Sequence, residues 1–230
     1  RFSLRYSQTT EADGTKHRTQ WHFGSGLGMT GPSHRNWYDA GFLDVLVNGK
    51  SLESVTPRFA KVTEAKGEAL VGTWPTESGV LTLQFDLWQG GLRIVGEWAG
   101  DPAAKLAVRL FAIPGAGWGA WTDMDKYVTT PSGETAHGTP VKLLPTERWL
   151  FLADRTYDLP HEHAEGPCGV LFGDPLPAVQ CDNGSYVVQV DGEYPTATRS
   201  FRLVVWDFHG LKNAEGLAAL RAVADQGKLP

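Results

Sequence analysis

Apolar and polar residues alternate over long stretches of this sequence, and this alternation constrains the fold more than any other feature. Every second residue from Leu81 to Leu87 is apolar, and the residues between them are polar. Side chains point alternately to opposite faces of a β-strand, so the pattern predicts a strand with one buried and one solvated face. Residues 89–91 then form a Gln-Gly-Gly turn signal, and the alternation resumes at Leu92. Residues 80–98 are therefore predicted to form a β-hairpin.

The same pattern predicts around a dozen strands and almost no helix. Residues 105–113 are predicted to extend the hairpin into an antiparallel meander, and residues 186–190 are predicted to pair with residues 200–208. One short C-terminal helix, capped by Asn213, is expected to cover an edge or end of the sheets. The predicted fold class is all-β: an antiparallel two-sheet β-sandwich, of jelly-roll or related type, forming a single domain over residues 1–230.

Composition excludes several classes of protein. In 230 residues, 41% are hydrophobic and 20% are charged, a normal globular balance. The net charge is −5 and no basic cluster occurs, so no nucleic-acid partner is expected. The longest strongly apolar run, residues 110–121, contains one proline and several glycines and is too short for a membrane span. The sequence starts at Arg1 without a signal-peptide pattern, which indicates a processed chain or part of a larger protein.

Two local features favour an oxidising compartment, so an extracellular or periplasmic location is expected. Cys168 and Cys181 flank a short Gly/Pro-rich segment, and a disulfide between them would contribute roughly 3 kcal/mol through loss of unfolded-state entropy. Two buried thiols are the alternative. Asn183-Gly184-Ser185 fits an N-glycosylation sequon, a triplet that also arises by chance.

Tryptophan is abundant, with nine residues in the chain. Two of them, Trp118 and Trp121, lie in a glycine-rich segment at residues 115–127, where small neighbours leave the ring faces unobstructed. Flat aromatic faces beside carboxylates suit sugar rings, which present C–H patches on one side and hydroxyl groups at the rim. The alternatives are that these rings fill the end of the sandwich, or that the acidic residues bind calcium. The candidate ligand-binding residues, with one from a second loop, are Trp37, Trp118, Trp121, Asp123, Asp125 and Tyr127.

A second loop, residues 31–39, is dense in side chains able to move protons or neutralise a carboxylate. Arg35 or Asn36 can neutralise a uronate while His34 or Tyr38 moves a proton, the arrangement that polysaccharide β-elimination requires. Glu97 is a further candidate acid, because it lies beside a tryptophan on a predicted strand, a setting that can desolvate a carboxylate. Loops are polar by default, so ordinary loop structure and ligand contact without chemistry remain alternatives.

A third loop carries His161 and His163, which project to one side of an extended segment and can hold a divalent zinc or copper ion. A solvated loop is the alternative. The third ligand would come from elsewhere, and the sequence does not choose among the candidates His17, His22, His137 and His209.

Three function classes follow from these loops. The first is a carbohydrate-binding domain of a secreted glycan-processing protein, acting through loop aromatics and carboxylates. The second is a polysaccharide lyase or glycoside hydrolase acting through a loop cleft, and the third is a structural or interaction domain without a small ligand. A shared concave surface of the three loops would favour an enzyme, a flat aromatic platform would favour binding, and buried rings would favour the structural class.

Overall fold

The computed structural model describes residues 3–7, 9–10, 16–17, 26–30, 36–37, 41–53, 55–64, 67–115, 125–158, 166–185, 187–227 and 229. These residues form one helix, α1 (Asn213–Ala224), and short to medium strands. In chain order the strands are β1 (Ser3–Ser7), β2 (Thr9–Thr10), β3 (Lys16–His17), β4 (Gly26–Thr30), β5 (Leu43–Val47), β6 (Lys50–Ser51), β7 (Arg58–Glu64), β8 (Gly67–Thr76), β9 (Gly79–Trp88), β10 (Gly91–Gly100), β11 (Leu106–Ala112), β12 (Lys126–Thr130), β13 (Gly133–Ala136), β14 (Val141–Lys142), β15 (Trp149–Asp154), β16 (Cys168–Phe172), β17 (Ala178–Asp182), β18 (Val188–Glu193) and β19 (Ser200–Asp207).

The strands form two large antiparallel sheets, which confirms the predicted two-sheet sandwich. In the part of the chain that is described, the first sheet has eight strands in the order β1-β4-β5-β11-β18-β17-β14, with β6 paired to β5. The second has nine strands in the order β13-β12-β15-β16-β19-β10-β9-β8-β7, and β2 and β3 form a separate pair. The fold is therefore all-β with a single helix in the described residues.

The main core lies between the two large sheets, and alternation along the strands builds it. The eight-stranded sheet contributes Val45, Val108 and Val190, which are buried, and the nine-stranded sheet contributes Ile94 and Leu203. Their neighbours along each strand point the other way. Each sheet therefore has one face in the core and one outer face, and the residues on the outer face differ between the two sheets.

The outer face of the nine-stranded sheet carries a second apolar cluster beneath α1. Phe151, Leu171 and Trp206 are buried there together with Leu220 from the helix. The central strands of this sheet are therefore buried on both faces, which explains their near-continuous apolar sequences. The helix was expected to cover an edge or end of the sheets. It packs instead on the face, against β15 and β16.

The start of the helix differs in detail from the prediction. Asn213 is the first helical residue and not the cap. Its backbone N–H donates to Asp158 Oδ1 at 2.8 Å, and its side chain donates to the Asp154 carbonyl at 2.9 Å. Glu215 accepts a hydrogen bond from the Lys212 N–H at 2.9 Å. Carboxylates at a helix N-terminus satisfy free N–H groups and interact favourably with the helix dipole.

The predicted hairpin is correct, but two predicted pairings of other strands are wrong. Strands β9 and β10 pair in the register Gly91↔Trp88 through Gly100↔Gly79. Strand β11 does not extend this hairpin into a meander, because it crosses to the eight-stranded sheet and pairs with β5 and β18. Strands β18 and β19 likewise lie in different sheets and do not pair with each other.

The predicted disulfide is wrong, because both cysteines are free and buried. Cys168 lies in β16 of the nine-stranded sheet, and Cys181 lies in β17 of the eight-stranded sheet. The Cys168 thiol donates to the Asn36 carbonyl at 3.6 Å and is not directed to the other cysteine. Each thiol fills its own place in the core, as free cysteines commonly do.

We expect reducing agent to leave the stability of the protein unchanged. Burial raises the pKa of both thiols, Cys168 and Cys181, so neither is a reactive thiolate at neutral pH. Melting curves with and without dithiothreitol should superimpose, and a thiol reagent should label two cysteines per chain only after unfolding. A fall of several degrees in the melting temperature on reduction would contradict the free-thiol assignment.

The asparagine of the sequon is unavailable in the folded protein. The Asn183 side chain is fully buried, and its Nδ2 donates to the Ala136 carbonyl at 3.1 Å. A glycan attached to that nitrogen is incompatible with this packing, so the triplet is a chance match.

Among the described residues, no helix is both long and apolar enough to cross a bilayer.

Candidate functional site

The three segments singled out by the sequence are attached to the same end of the sandwich. The Ile113 N–H donates to the Asn36 carbonyl at 2.7 Å, and the Gly115 N–H donates to the Gly166 carbonyl at 2.9 Å. Gly115 immediately precedes residues 116–124, and Gly166 immediately follows residues 159–165. We call this region the loop end and define it by residues 36–37, 113–115, 125–127, 154–158, 166–168 and 207–213.

Two glycines give the loop end its tight chain reversals. Gly115 and Gly166 have φ angles of 70° and 87°, in the left-handed region that favours glycine. A Cβ atom on Gly166 would also collide with the Phe208 carbonyl. The backbone of the two segments is therefore brought together by residues that no other amino acid replaces without strain.

A buried ion pair joins β12 to β15 at the loop end. Lys126 Nζ lies 3.5 Å from Asp154 Oδ2, and the two side chains are 1% and 0% exposed. Asp154 Oδ1 also accepts hydrogen bonds from the N–H groups of Asp125 at 3.3 Å and Thr156 at 3.0 Å. Burial lowers the pKa of Lys126, and the attraction of Asp154 offsets part of that effect. Charges buried this deeply are retained only when they are paired.

Asp125 and Tyr127, two predicted ligand-binding residues, belong to a polar cluster around Arg155. Arg155 Nη1 donates to Asp125 Oδ1 at 3.1 Å, and Nη2 pairs with Glu134 Oε1. The guanidinium Cζ also lies 4.2 Å from the centroid of the Tyr127 ring. The ring is 8% exposed. Tyr127 is therefore part of the base of the loop end, and Asp125 is exposed but already paired.

The charge environment of Tyr127 follows from this packing. Burial and the nearby Glu134 carboxylate raise the pKa of its phenol to about 12, although the Arg155 guanidinium opposes the rise. The phenol is therefore protonated at neutral pH and is a hydrogen-bond donor, not a base.

Trp37 is also placed differently from the expectation, because it is fully buried. Its Nε1 donates to the Trp206 carbonyl at 3.2 Å, and its ring meets the edge of Phe42 with centroids 6.1 Å apart. The adjacent Asn36 donates to Asp207 Oδ1 at 2.6 Å. Residues 36–37 are therefore part of the packed core, and the Trp37 ring presents no face to solvent.

Glu97 lies away from the other candidates. It is exposed on β10, opposite Ser200 at the start of β19, whereas the loop end follows Asp207 at the end of that strand. Seven residues of strand separate the two positions, which corresponds to roughly 20 Å. Glu97 is thus neither desolvated nor close to the three segments.

The remaining site predictions lie outside the described residues and stay predictions. They concern the ligand-binding, catalytic and metal candidates Trp118, Trp121, Asp123, His34, Arg35, Tyr38, His161 and His163. In the described part of the chain, no group of three or more His, Cys, Asp or Glu side chains has the geometry to hold a metal ion. Of the histidines considered as third ligand, His209 lies next to Gly166, because a Cβ atom on that glycine would be 3.0 Å from the His209 backbone N.

Comparison with known proteins assigns no family. No family model matches the sequence, and no curated protein matches it significantly. The functional assignment therefore rests on the loop end and on the surface of the sheets.

Sequence reasoning did not predict the buried Lys126–Asp154 pair or the cluster around Arg155 that build the loop end. Lys126 begins β12, Asp154 ends β15 and Arg155 follows it, and charged residues at such positions are usually solvated. Only their positions in the sequence indicate a role, because all three lie in or near the segments that carry the candidate chemistry. Nothing in the local pattern distinguishes the buried Lys126 from the exposed Lys142, which also lies on a strand.

Proposed function

We propose that this protein is a carbohydrate-binding β-sandwich domain of a glycan-processing protein, and that its loop end contacts the saccharide. One observation carries the proposal. Two backbone hydrogen bonds, Ile113 with Asn36 and Gly115 with Gly166, join residues that lie in or directly beside the three candidate segments. Side chains distant in sequence thus start from one rim, as a binding surface assembled from loops requires.

The chemistry of the segments supports a polyhydroxylated ligand. Residues 116–124 contain Trp118 and Trp121 among small residues, and Asp123 is close to both in sequence. Indole faces stack on the C–H patches of sugar rings, and carboxylates accept hydrogen bonds from the hydroxyl groups. Two residues after this segment, Lys126 forms the buried ion pair with Asp154.

The proposal includes a location outside the cytoplasm, where polysaccharides are processed. The cysteines and Asn183 no longer support it, because the thiols are free and the asparagine is buried. The location therefore depends on the ligand class alone.

The proposal is tested by isothermal titration and affinity electrophoresis against a panel of polysaccharides. The wild-type protein should bind at least one, and the Trp118→Ala/Trp121→Ala variant should bind it at least tenfold more weakly, because two stacking contacts are lost. Leu87→Ala/Leu144→Ala is the matched control, since these apolar side chains are 65% and 56% exposed outside the loop end.

The outcomes of this experiment distinguish the location of the site and separate binding from cleavage of the saccharide. Unchanged binding in the tryptophan variant would remove the loop end as the site. New reducing ends, or absorbance of an unsaturated uronate, would show that the saccharide is cleaved and would place the protein among lyases or hydrolases.

A structural or interaction domain is the second candidate, and the burial of tryptophan favours it. Five of the described tryptophans are at most 9% exposed: Trp37, Trp74, Trp98, Trp149 and Trp206. Much of the tryptophan content is thus explained by packing. Failure of the wild-type protein to bind any saccharide in the panel would favour this candidate over ours.

A further inference from the structure

The outer face of the eight-stranded sheet contains a groove that is separate from the loop end. A cavity of about 590 Å³ lies over β5, β11, β17 and β18, and a second of about 530 Å³ adjoins it. We call the two together the sheet groove. Both cavities are lined by Lys105, Lys142, Ala178, Val179, Glu193 and Tyr194. Lys105 precedes the first residue of β11, whereas the loop end follows the last.

Polar side chains form the walls of the sheet groove, and residues with small side chains form its floor. A row of residues paired across neighbouring strands supplies Arg109, Asp191, Gln180 and Lys142. Next to this row, the outward-facing Ala107 pairs with Glu193 and leaves room above the sheet. Alternate strand residues share one face, so these side chains line a single surface.

Part of this row is already committed to internal contacts. Arg109 Nε donates to Asp191 Oδ1 at 2.6 Å, and Gln189 Nε2 donates to Asp191 Oδ2 at 2.7 Å. Both Arg109 and Asp191 are about one-third exposed, so the pair keeps polar atoms at the surface. These contacts fix the wall in place before a ligand arrives, which lowers the entropic cost of binding.

The charged residues that line both cavities differ from the Arg109–Asp191 pair in their contacts. Within the described residues, the exposed side chains of Lys105, Lys142 and Glu193 take part in no ion pair. The groove lining has three cations, counting Arg109, against two carboxylates, whereas the whole chain has a net charge of −5. A local excess of positive charge in an acidic protein favours an anionic ligand.

We propose that the sheet groove binds an acidic oligosaccharide, with a uronate carboxylate held between Lys105 and Lys142. Ammonium groups bind carboxylates through charge-assisted hydrogen bonds. Gln180 and Asp191 accept hydrogen bonds from the sugar hydroxyl groups, and Ala107 and Ala178 allow the rings to lie flat. The adjoining cavities provide length for more than one sugar unit. This inference depends on the proposed function only for the class of ligand.

The first test is calorimetric titration at low salt with hexasaccharides of galacturonate, mannuronate and guluronate. At least one should bind, and the fully methyl-esterified form of the same hexasaccharide should bind about tenfold more weakly, because the ester removes the charge but keeps the sugar chain. Binding should also weaken with added salt, as expected of partly exposed charges.

Variants then locate the site. Lys105→Gln/Lys142→Gln should raise the Kd for the acid about tenfold and abolish the preference for the acid over its ester, because each exposed charge contact contributes a factor of a few. The matched control is Arg58→Gln/Lys61→Gln, which makes the same charge change on exposed residues of β7 in the other sheet. Glu193→Gln should tighten binding of the acid, because it removes a like charge from the groove.

Failure of this inference can be distinguished from failure of the proposed function. If no acidic hexasaccharide binds, or if binding is the same in the Lys105→Gln/Lys142→Gln variant and the wild type, the sheet groove is not the site. If that binding is instead lost in Trp118→Ala/Trp121→Ala, the acid is bound at the loop end, and the proposed function stands without a groove. Binding of acid at the groove with unaltered affinity in the tryptophan variant supports two separate sites.

Discussion

Replacing Lys126 by methionine is expected to lower the free energy of unfolding by about 3–5 kcal/mol, because it leaves the Asp154 carboxylate buried without its cation. The lysine is fully buried and lies 3.5 Å from that carboxylate. For a chain of this length, such a loss corresponds to a fall of roughly 10 °C in the melting temperature. Urea unfolding followed by tryptophan fluorescence measures the loss directly.

The double variant tests whether the charge is responsible. Lys126→Met/Asp154→Asn should be more stable than Lys126→Met, because it removes both buried charges and keeps Oδ1 as an acceptor for the N–H groups of Asp125 and Thr156. Arg148→Met is the control. Arg148 pairs with Asp174 at 3.0 Å, but their side chains are 32% and 47% exposed. Its loss should cost less than about 1 kcal/mol.

Additive effects of the two substitutions on the free energy of unfolding would contradict the assignment of a coupled pair.

A coupled pair also has a consequence for ligand binding. Lys126 lies just after the segment with Trp118 and Trp121, so a less stable base should weaken saccharide binding even though the Lys126 and Asp154 side chains are both buried. If folded Lys126→Met protein binds the saccharide as tightly as the wild type, the base of the loop end does not support the binding site.

The alternation of the sequence predicts which residues face the core, but not which strands are neighbours. Leu92 and Ile94 are buried and Arg93 is not, as the hairpin prediction requires. Strand β11 has the same alternation, yet it crosses to the other sheet after the turn at residues 101–105. A period of two is satisfied in either sheet, so the pairing is decided by long-range packing that no local pattern contains.

The same limit applies to the loop end. The attachment of three segments to one rim depends on hydrogen bonds between residues far apart in sequence, such as Ile113 with Asn36. The polar character of the segments is visible in the sequence, but their convergence is not. Burial of Lys126 is equally hidden, because charged residues on strands are normally solvated.

Trp37→Ala is expected to cost about 3–5 kcal/mol of stability, the usual loss for truncating a large aromatic residue in a core. The sequence around Trp37 is rich in polar residues and predicts a ligand contact. In the structure it is fully buried, bridges to Ala112 of β11 and donates to the Trp206 carbonyl at 3.2 Å. The cavity left by its ring would lie next to Phe42 and the Trp206 backbone.

Trp37→Phe separates the hydrogen bond from the packing. Phenylalanine keeps most of the apolar volume but lacks the donor, and the Trp206 carbonyl loses a buried partner, so we expect a loss of about 1–2 kcal/mol. Leu87→Ala, at a side chain that is 65% exposed, is the control and should change stability by less than about 0.5 kcal/mol. Chemical denaturation of the three variants gives the order directly.

The two interpretations of Trp37 predict opposite results. A ligand contact would make Trp37→Ala as stable as the wild type and weaker in saccharide binding. A core residue makes it much less stable, and any loss of binding should then be recovered at low temperature or in stabilising osmolyte, where the folded fraction is restored. We expect the second result, because a ring with no exposed surface cannot contact a ligand.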